Sequence, residues 1–329
     1  MSVAISVIMP FHNAESTIER ALRSLQSQTM NDCEFVLVND GSTDRSVEII
    51  RDFAMLNPSF GDKLLLLGYP FRRGVAGAND VGISNANGRY IVRCDSDDRM
   101  MPGALQRLYD ATDKERIDVV CAPMRITKRS FLGKRILRPK IDKNTLNDMS
   151  ITTVNFSLCN KLIRTKLLSD NDIRPFPHID CWEDVSIFAR IMALNPSFSI
   201  IDAPTYEYFN DTPTSLTHRS NEMRLRDHLM CALLLEQWFV DNDKALHFDK
   251  FLTRLKYCAK IKYLRGAYKD VEKWKSTFPE VNKHILHISK IPLLVRIATY
   301  LISILPTSIT QGISDAASIF YSSKYKTVK

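Results

Sequence analysis

Hydrophobic positions in the first two thirds of the chain alternate between short continuous runs and stretches with helical spacing. These runs lie within residues 3–9, 34–38, 63–67, 90–92 and 118–122; Ser6 interrupts the first, and a charged residue begins the second, third and fifth. Such runs are typical of parallel strands that are buried on both faces. Between them apolar residues recur every three or four positions, as at Ile18, Ala21, Leu22 and Leu25. The alternation predicts an α/β fold: a Rossmann-like, doubly wound, mostly parallel sheet with helices on both faces.

This pattern stops twice along the chain. Between Arg125 and Lys143 eight basic residues stand against one acidic residue, and we interpret the stretch as a loop over the sheet edge. After about Ser220 the spacing becomes helical throughout. We therefore predict two parts, an α/β domain over residues 1–215 and a helical part over residues 216–329.

The charge is divided in the same way. Residues 1–215 carry 26 Lys and Arg against 27 Asp and Glu, whereas residues 216–329 carry 19 against 10. The chain's net charge of +8 thus lies in the helical part. An anionic membrane surface, a phosphate-bearing substrate and a solvated basic face all fit this excess, and we expect no nucleic-acid partner.

An apolar run at residues 291–305 is the segment most similar to a membrane-binding helix. Residues 291–305 are too few to span a bilayer and include Arg296. Their apolar positions fall on one helical face, so the segment is either a buried amphipathic helix or a helix in a membrane interface. These positions are Leu294, Ile297, Leu301 and Leu305.

The cysteines and the N-terminus indicate a compartment. The seven cysteines form no CxxC pair, and several lie in apolar runs, as expected of free thiols in a reducing compartment. No basic stretch precedes the first apolar run, which Pro10 interrupts, so we do not expect a signal peptide. We expect a cytoplasmic protein, with peripheral attachment to the inner face of the membrane left open.

Polar clusters follow three of the predicted strands. They are Phe11-His12-Asn13, Asn39-Asp40 and Asp95-Ser96-Asp97-Asp98. Ligands of doubly wound sheets bind outside the carboxyl ends of the strands. None of the clusters is a GxGxxG turn, which argues against a dehydrogenase-type site. The three carboxylates within four residues indicate either a site for Mg²⁺ or Mn²⁺, or an acidic turn before a helix that begins at Pro102.

Eight short motifs occur in an order that resembles the family 2 glycosyltransferases. They are residues 6–13, 24–28, 38–44, 74–79, 88–91, 95–98, 160–162 and 183–184. The resemblance covers roughly residues 3–215. It implies a GT-A fold in which residues 1–215 bind a nucleotide sugar and carry out catalysis. It also implies inverting transfer of a sugar from a nucleoside diphosphate sugar, with UDP as the expected nucleotide and Mn²⁺ or Mg²⁺ as the cofactor.

The resemblance also suggests roles for single residues. Pro10, Phe11 and Asn13 would line the nucleoside pocket, and Asp40 would hydrogen-bond the base. Asp95 would approach both the ribose and the metal, Asp97 would ligate the metal, and Asp184 would be the general base. Asn79, Ser96, Lys161 and His218 complete the expected nucleotide-sugar side. Lys161 is equally well explained as a surface lysine, Asp184 as a carboxylate that complements a helix N-terminus, and Asp98 as a helix cap.

Two departures from the family pattern refine the expectation. Ala78 stands where many members have an arginine before the asparagine, although Arg72 and Arg73 lie just upstream. No Gln-x-x-Arg-Trp motif follows Asp184, which suggests that one sugar is added per encounter.

We expect a metal-dependent hexosyltransferase that acts on a glycan or lipid-linked acceptor in polysaccharide, lipopolysaccharide or capsule assembly of bacterial cell surfaces. The alternatives are a non-catalytic sugar-nucleotide-binding protein on a degenerate transferase fold, and a nucleotidyltransferase.

Overall fold

A computed structural model of the 329-residue chain describes residues 3–127, 135–141, 146–209, 221–264 and 270–310. The chain divides into two compact units. The sheet unit comprises Met1–Lys140 and Thr153–His218, and the helical unit comprises Ile141–Thr152 and Arg219–Lys329.

The sheet unit is built on a seven-stranded sheet. Its strands are β1 (Ile5–Phe11), β2 (Cys33–Asp40), β3 (Leu64–Tyr69), β4 (Tyr90–Arg93), β6 (Val119–Cys121), β9 (Lys161–Arg164) and β10 (Phe198–Ile200), in the order β10-β6-β9-β4-β1-β2-β3. All pairs are parallel except those that β9 makes with β4 and β6. The predicted, mostly parallel sheet is confirmed.

The central strand β1 shows why these residues form strands. All seven of its residues are buried, so a continuous apolar run suits the position. Alternate residues of β2 face opposite sides. Phe35 and Leu37 join the main core, whereas Val36 and Val38 pack with Ala78 on the other side. Both faces of the sheet are therefore covered.

Among the residues that the structure describes, eight α-helices accompany the sheet. They are α1 (Ile18–Gln26), α2 (Ser46–Leu56), α3 (Pro58–Gly61), α4 (Gly74–Ser84), α5 (Ala104–Asp110), α6 (Thr153–Phe156), α7 (Thr165–Ser169) and α8 (Glu183–Ala193). In α1 the predicted apolar positions Ile18, Ala21, Leu22 and Leu25 are all buried in the main core.

A second, four-stranded sheet corrects the prediction of a loop over Arg125–Lys143. Its strands are β5 (Arg99–Met100), β7 (Met124–Thr127), β8 (Arg135–Leu137) and β11 (Tyr206–Phe209), in the order β5-β11-β7-β8. The prediction of a loop was wrong for β7 and β8. The many basic residues of this stretch interrupt the hydrophobic pattern by which two such short strands could have been recognised. Residues 128–134 and 142–145 lie outside the described part of the chain.

Five further α-helices lie in the described part of the helical unit. They are α9 (Asn221–Asp241), α10 (Asp249–Lys260), α11 (Val271–Ser276), α12 (Pro279–Asn282) and α13 (Leu293–Ile304). Its core surrounds the fully buried Trp274, whose ring meets Tyr257 edge-on at 5.8 Å. Asp270 caps α11 by accepting a hydrogen bond from the backbone N–H of Lys273 at 2.9 Å. Within the described ranges, no helix combines the length and the apolar character that crossing a bilayer requires.

Candidate active site

The carboxyl ends of β1, β2 and β4 meet at one edge of the sheet. Phe11 at the end of β1 is paired with Asn39 near the end of β2. On the other side Ile8 is paired with Arg93, and the backbone N–H of Cys94 donates to the carbonyl of Ile8 at 2.9 Å. The polar residues that follow each strand are thereby brought to the same edge, as the sequence predicted.

The acidic cluster Asp95, Asp97 and Asp98 lies directly after β4. One carboxylate oxygen from each residue lies within 4.8 Å of the others. Burial raises the pKa of Asp98 well above its ordinary value, and the neighbouring charges of Asp97 and Asp95 raise it further. A divalent cation would relieve this repulsion, and carboxylate oxygens are the ligands that Mg²⁺ and Mn²⁺ prefer. The residues present therefore fit a metal.

Asp98 is tied into the protein rather than into a helix cap. Its buried carboxylate accepts hydrogen bonds from the Tyr206 hydroxyl and the Phe209 backbone N–H, both at 2.7 Å. The helix predicted to begin at Pro102 begins instead at Ala104, after β5. The interpretation of Asp98 as a cap of that helix is thus wrong, because the strand β11 takes up its carboxylate.

Arg93 connects the acidic cluster to the start of α8. Its Nε donates to Asp95 at 2.6 Å, and its Nη1 donates to Glu183. The Glu183 carboxylate is only 6% exposed and also accepts a hydrogen bond from the Asn79 side chain at 3.0 Å. Burial raises the pKa of Glu183 to about 7, although Arg93 acts to lower it. One guanidinium therefore joins two carboxylates from distant parts of the sequence.

Asp184 stands next to Glu183 in the first turn of α8 and is partly exposed. Burial of its carboxylate raises its pKa above the ordinary value, and the charge of Asp95 acts in the same direction. The positive charges of Arg93 and Lys161 oppose this shift. A carboxylate with a raised pKa beside an acidic cluster is chemically suited to accept a proton.

Lys161, at the start of β9, is completely buried. Its ammonium donates to the carbonyls of Val154 and Ser157 and to the side chain of Asn160, at 2.7–3.2 Å. Burial lowers the pKa of Lys161 to about 8. Lys161 is therefore not a surface lysine, and its three N–H donors are directed at protein acceptors.

The residues expected to line the nucleoside pocket lie at the same edge of the sheet. Pro10 and Phe11 are buried, with Phe11 in the main core. Asn13 is partly exposed, and its side-chain oxygen accepts a hydrogen bond from the Thr43 backbone N–H at 2.8 Å. Ser96 is partly exposed within the acidic cluster.

Asp40, at the end of β2, is buried against the start of α4. Its carboxylate accepts hydrogen bonds from the backbone N–H groups of Arg73, at 2.5 Å, and Gly74, at 3.0 Å. Arg72 lies 3.7 Å from the same carboxylate. The Arg73 guanidinium stacks on the Tyr69 ring at 3.9 Å. The two arginines that precede the Ala78 position thus lie beside Asp40.

Sequence reasoning did not single out four residues that organise this edge: Arg93, Asp180, Glu183 and Tyr206. Asp180 accepts a hydrogen bond from the Ala76 backbone N–H at 3.0 Å, and a Cβ at Gly74 would lie 2.4 Å from its carboxylate. A charged residue at the end of a buried strand was a signal for Arg93. Glu183 was noticed only as part of the motif at residues 183–184, and nothing local indicated the contacts of Asp180, Glu183 and Tyr206, because their partners lie about 100 residues away or more. The remaining expected site residue, His218, lies outside the described residues.

Comparison with solved structures supports the fold. The crystal structure of S. aureus TarS 1-349 in complex with UDP-GlcNAc matches with a TM-score of 0.66 at 19% sequence identity. The match covers 98% of this chain and 92% of that one. This likeness shows that the fold is GT-A, as expected.

Two curated relatives match in sequence. The uncharacterized glycosyltransferase EpsJ of Bacillus subtilis is 36% identical over 141 residues, 43% of this chain and 39% of that protein. The cholesterol galactosyltransferase of Borreliella burgdorferi is 26% identical over 283 residues, 79% of this chain and 75% of that protein. The profile of the family described as glycosyl transferase family 2 matches residues 6–171, about half of the chain and most of the edge just described. The chain belongs to glycosyl transferase family 2.

Proposed function

We propose that this protein transfers one sugar, with inversion of the anomeric configuration, from a nucleoside diphosphate sugar to a hydroxyl group of a glycan or lipid-linked acceptor. One observation carries the proposal. Arg93 joins Asp95 of the acidic cluster to Glu183, the neighbour of Asp184. The edge of the sheet thereby holds two acidic groups of different chemistry, one suited to a cation and one suited to a proton.

The donor occupies the edge formed by β1, β2 and β4 in this proposal. Pro10, Phe11 and Asn13 lie there and would line the nucleoside pocket, and Asp40, which the start of α4 holds at the end of β2, would hydrogen-bond the base. A UDP-sugar is the preferred candidate, because the TarS structure, which shares the fold, contains UDP-GlcNAc. Asn79, Ser96 and His218 remain proposed members of the nucleotide-sugar side. Lys161 would act there only through its charge, because its three N–H groups bond within the protein.

Asp95 and Asp97 would hold Mn²⁺ or Mg²⁺. Both are partly exposed, whereas both oxygens of the buried Asp98 accept hydrogen bonds from β11. The metal, when bound, neutralises charge on the diphosphate, so that no protein acid is needed for the leaving group. Asp98 holds the cluster in place through Tyr206, whose hydroxyl also accepts a hydrogen bond from the Asp95 backbone N–H at 3.0 Å.

Asp184 is the proposed general base. It takes the proton of the acceptor hydroxyl while that oxygen forms a bond to the anomeric carbon. The bond from the anomeric carbon to the diphosphate oxygen breaks on the opposite face, and the nucleoside diphosphate departs with the electron pair. Lys161 contributes through its positive charge, which favours the ionised form of Asp184.

The acceptor is proposed from the name of one relative and from the charge of the helical part. The name of the Borreliella burgdorferi relative states that it galactosylates cholesterol, a membrane lipid. A lipid-linked acceptor suits the basic helical part over residues 216–329, which we propose as the acceptor or membrane-surface side. Assembly of cell-surface polysaccharide at the cytoplasmic face of a membrane is the corresponding role.

The direct test is a panel of nucleotide sugars assayed with and without Mn²⁺. Thermal unfolding reports binding, because a ligand at 100 times its Kd stabilises the folded state by about 2.7 kcal/mol. We expect one or a few nucleotide sugars to raise Tm, and a UDP-sugar to be among them. Absence of any shift across the panel would contradict the proposal.

The same panel separates the two alternatives. A non-catalytic sugar-nucleotide-binding protein would be stabilised by a nucleotide sugar and would never release the nucleoside diphosphate. A nucleotidyltransferase would instead release pyrophosphate from a nucleoside triphosphate and a sugar phosphate. Released nucleoside diphosphate with an added glycan acceptor, measured by a coupled assay, supports transfer.

A further inference from the structure

Helix α13 carries an exposed apolar face that the catalytic proposal does not use. We define this face by Leu293, Leu294, Ile297, Leu301 and Ile304, whose exposed fractions are 57%, 64%, 40%, 36% and 58%. Among the described residues sixteen large apolar side chains are exposed, and five of them lie on this twelve-residue helix. Isolated exposed leucines need no explanation, but a contiguous group marks an interaction surface.

The five residues share one side of the helix. At 3.6 residues per turn, successive residues advance by about 100°, which places all five within an arc of about 100°. Val295, Thr299 and Ile302 point to the opposite side, where Val295 and Ile302 join the core of the helical unit. The helix is therefore apolar on two faces, and only one of them packs against the core of its unit.

The charges around this helix favour one class of partner. Between residues 281 and 310 the sequence contains Lys283, Lys290 and Arg296 but no Asp or Glu. Lys283 and Lys290 are exposed in the segment that leads into α13, as are His284 and His287. In space, the exposed carboxylate of Glu272 also lies near this segment, where it accepts a hydrogen bond from Thr307 beyond the end of α13. Exposed aliphatic side chains in a sequence segment with basic residues and no acidic ones are typical of binding to the interface of an anionic bilayer.

We propose that α13 lies in the headgroup region of an anionic lipid bilayer, with its apolar face toward the acyl chains and Lys283 and Lys290 near the lipid phosphates. The opposite face keeps the helix attached to its own unit. This binding is peripheral, since the helix has only twelve residues. The proposal does not depend on the proposed transferase reaction, because it concerns a separate surface of the helical unit.

Co-sedimentation of the full chain with vesicles tests the proposal. We expect binding to phosphatidylcholine vesicles that contain phosphatidylglycerol, weaker binding to phosphatidylcholine alone, and a loss of binding as salt is raised. The double variant Ile297→Asp/Leu301→Asp should bind at least about tenfold more weakly, because two aliphatic side chains no longer enter the interface. Lys283→Glu/Lys290→Glu should weaken binding to the anionic vesicles only.

Leu246 supplies the matched control, since it is 94% exposed in the same unit but lies outside α13. Leu246→Asp should leave vesicle binding unchanged. In a second measurement that needs no disruptive change, Leu294→Trp should show a blue-shifted fluorescence with anionic vesicles, and Leu246→Trp should not. Tm values and circular dichroism confirm that each variant is folded.

Three outcomes of these experiments would overturn the proposal. The full chain fails to bind phosphatidylglycerol vesicles, Leu246→Asp loses as much binding as Ile297→Asp/Leu301→Asp, or the fluorescence of Leu294→Trp does not shift. Light scattering can give a fourth contradicting outcome. If the chain forms dimers that Ile297→Asp/Leu301→Asp converts to monomers while vesicle binding stays the same, the face is an interface between copies of this chain.

Discussion

Arg93 at the end of β4 donates a hydrogen bond to the buried carboxylate of Glu183 at the start of α8, 90 residues further along the chain. The same guanidinium donates to Asp95 at 2.6 Å. The Glu183 carboxylate needs this partner, because a buried charge without a partner costs several kcal/mol. Arg93 therefore determines where the proposed base-bearing helix meets the acidic cluster.

Replacing Arg93 should destabilise the protein strongly. Arg93→Met leaves the Glu183 carboxylate buried without its cation, and we expect a loss of about 3–5 kcal/mol in the free energy of unfolding. Arg93→Met/Glu183→Met should lose less than the two single changes added together, because neither charge is then left unpaired. Urea unfolding measures each value.

A surface ion pair provides the control for this prediction. Arg23 and Glu19 are 67% and 55% exposed, so Arg23→Met should change stability by less than about 1 kcal/mol. Equal effects of Arg93→Met and Arg23→Met would show that the buried bridge is not important.

Asp97→Ala should abolish the effect of Mn²⁺ on nucleotide binding. Loss of an outer hydrogen-bond partner of a metal ligand already costs about 10- to 100-fold in affinity, and loss of a ligand itself should cost more. Isothermal titration with UDP, with and without Mn²⁺, measures the difference. Asp52→Ala, which removes an exposed carboxylate of α2, should behave like the unchanged protein. Metal-dependent binding that survives Asp97→Ala would refute the metal assignment.

Asp184→Asn should leave the affinity for the donor unchanged and lower kcat by about 10²–10⁴, the usual contribution of a general base. Initial rates at saturating donor give kcat, and titration calorimetry gives donor affinity. Asp172→Asn changes an exposed carboxylate in a turn and should have no effect on either quantity. Normal turnover by Asp184→Asn would exclude this residue as the base.

The pH dependence of the rate should report the Asp184–Lys161 relationship. A base acts in its ionised form, so kcat should fall as pH falls through the pKa of Asp184, which burial raises above its ordinary value. Lys161 opposes that shift, and its removal should raise the pKa of Asp184 further. In Lys161→Met the acidic limb of the kcat profile should therefore move to higher pH.

Lys161→Met will also reduce stability, because three acceptors lose the buried ammonium. The direction of the pH shift separates the electrostatic effect from this structural loss. An acidic limb that stays in place, or moves to lower pH, would contradict the role given to Lys161.

The sequence predicted the elements that depend on local patterns and missed those that depend on distant partners. The run of β1 and the spacing of α1 follow from hydrophobic periodicity, which reports burial directly. The strands β7 and β8 were not predicted because they are only four and three residues long and lie in a stretch rich in basic residues, which resembles a loop. Their pairing, with β11 and with each other, is a tertiary property.

The same distinction applies to the site. Asp95 and Asp97 were visible because they cluster within a few residues, and Asp184 was noticed through a family motif. The hydrogen bond that Asp98 accepts from Tyr206, 108 residues away, leaves no signal in the local sequence. Likewise the complete burial of Lys161 could not be read from a strand end at which a lysine can also extend to solvent.

The central claim is that this site performs metal-dependent transfer with inversion at the anomeric carbon, and proton NMR of the product tests it most directly. The donor that the nucleotide-sugar panel selects is incubated with the protein, Mn²⁺ and a glycan acceptor, and the anomeric coupling of the first product is recorded. We predict a configuration opposite to that of the donor sugar, with no product from Asp97→Ala and about 10²- to 10⁴-fold slower formation by Asp184→Asn. A product that retains the donor's configuration, or forms equally fast in both variants, would contradict the account.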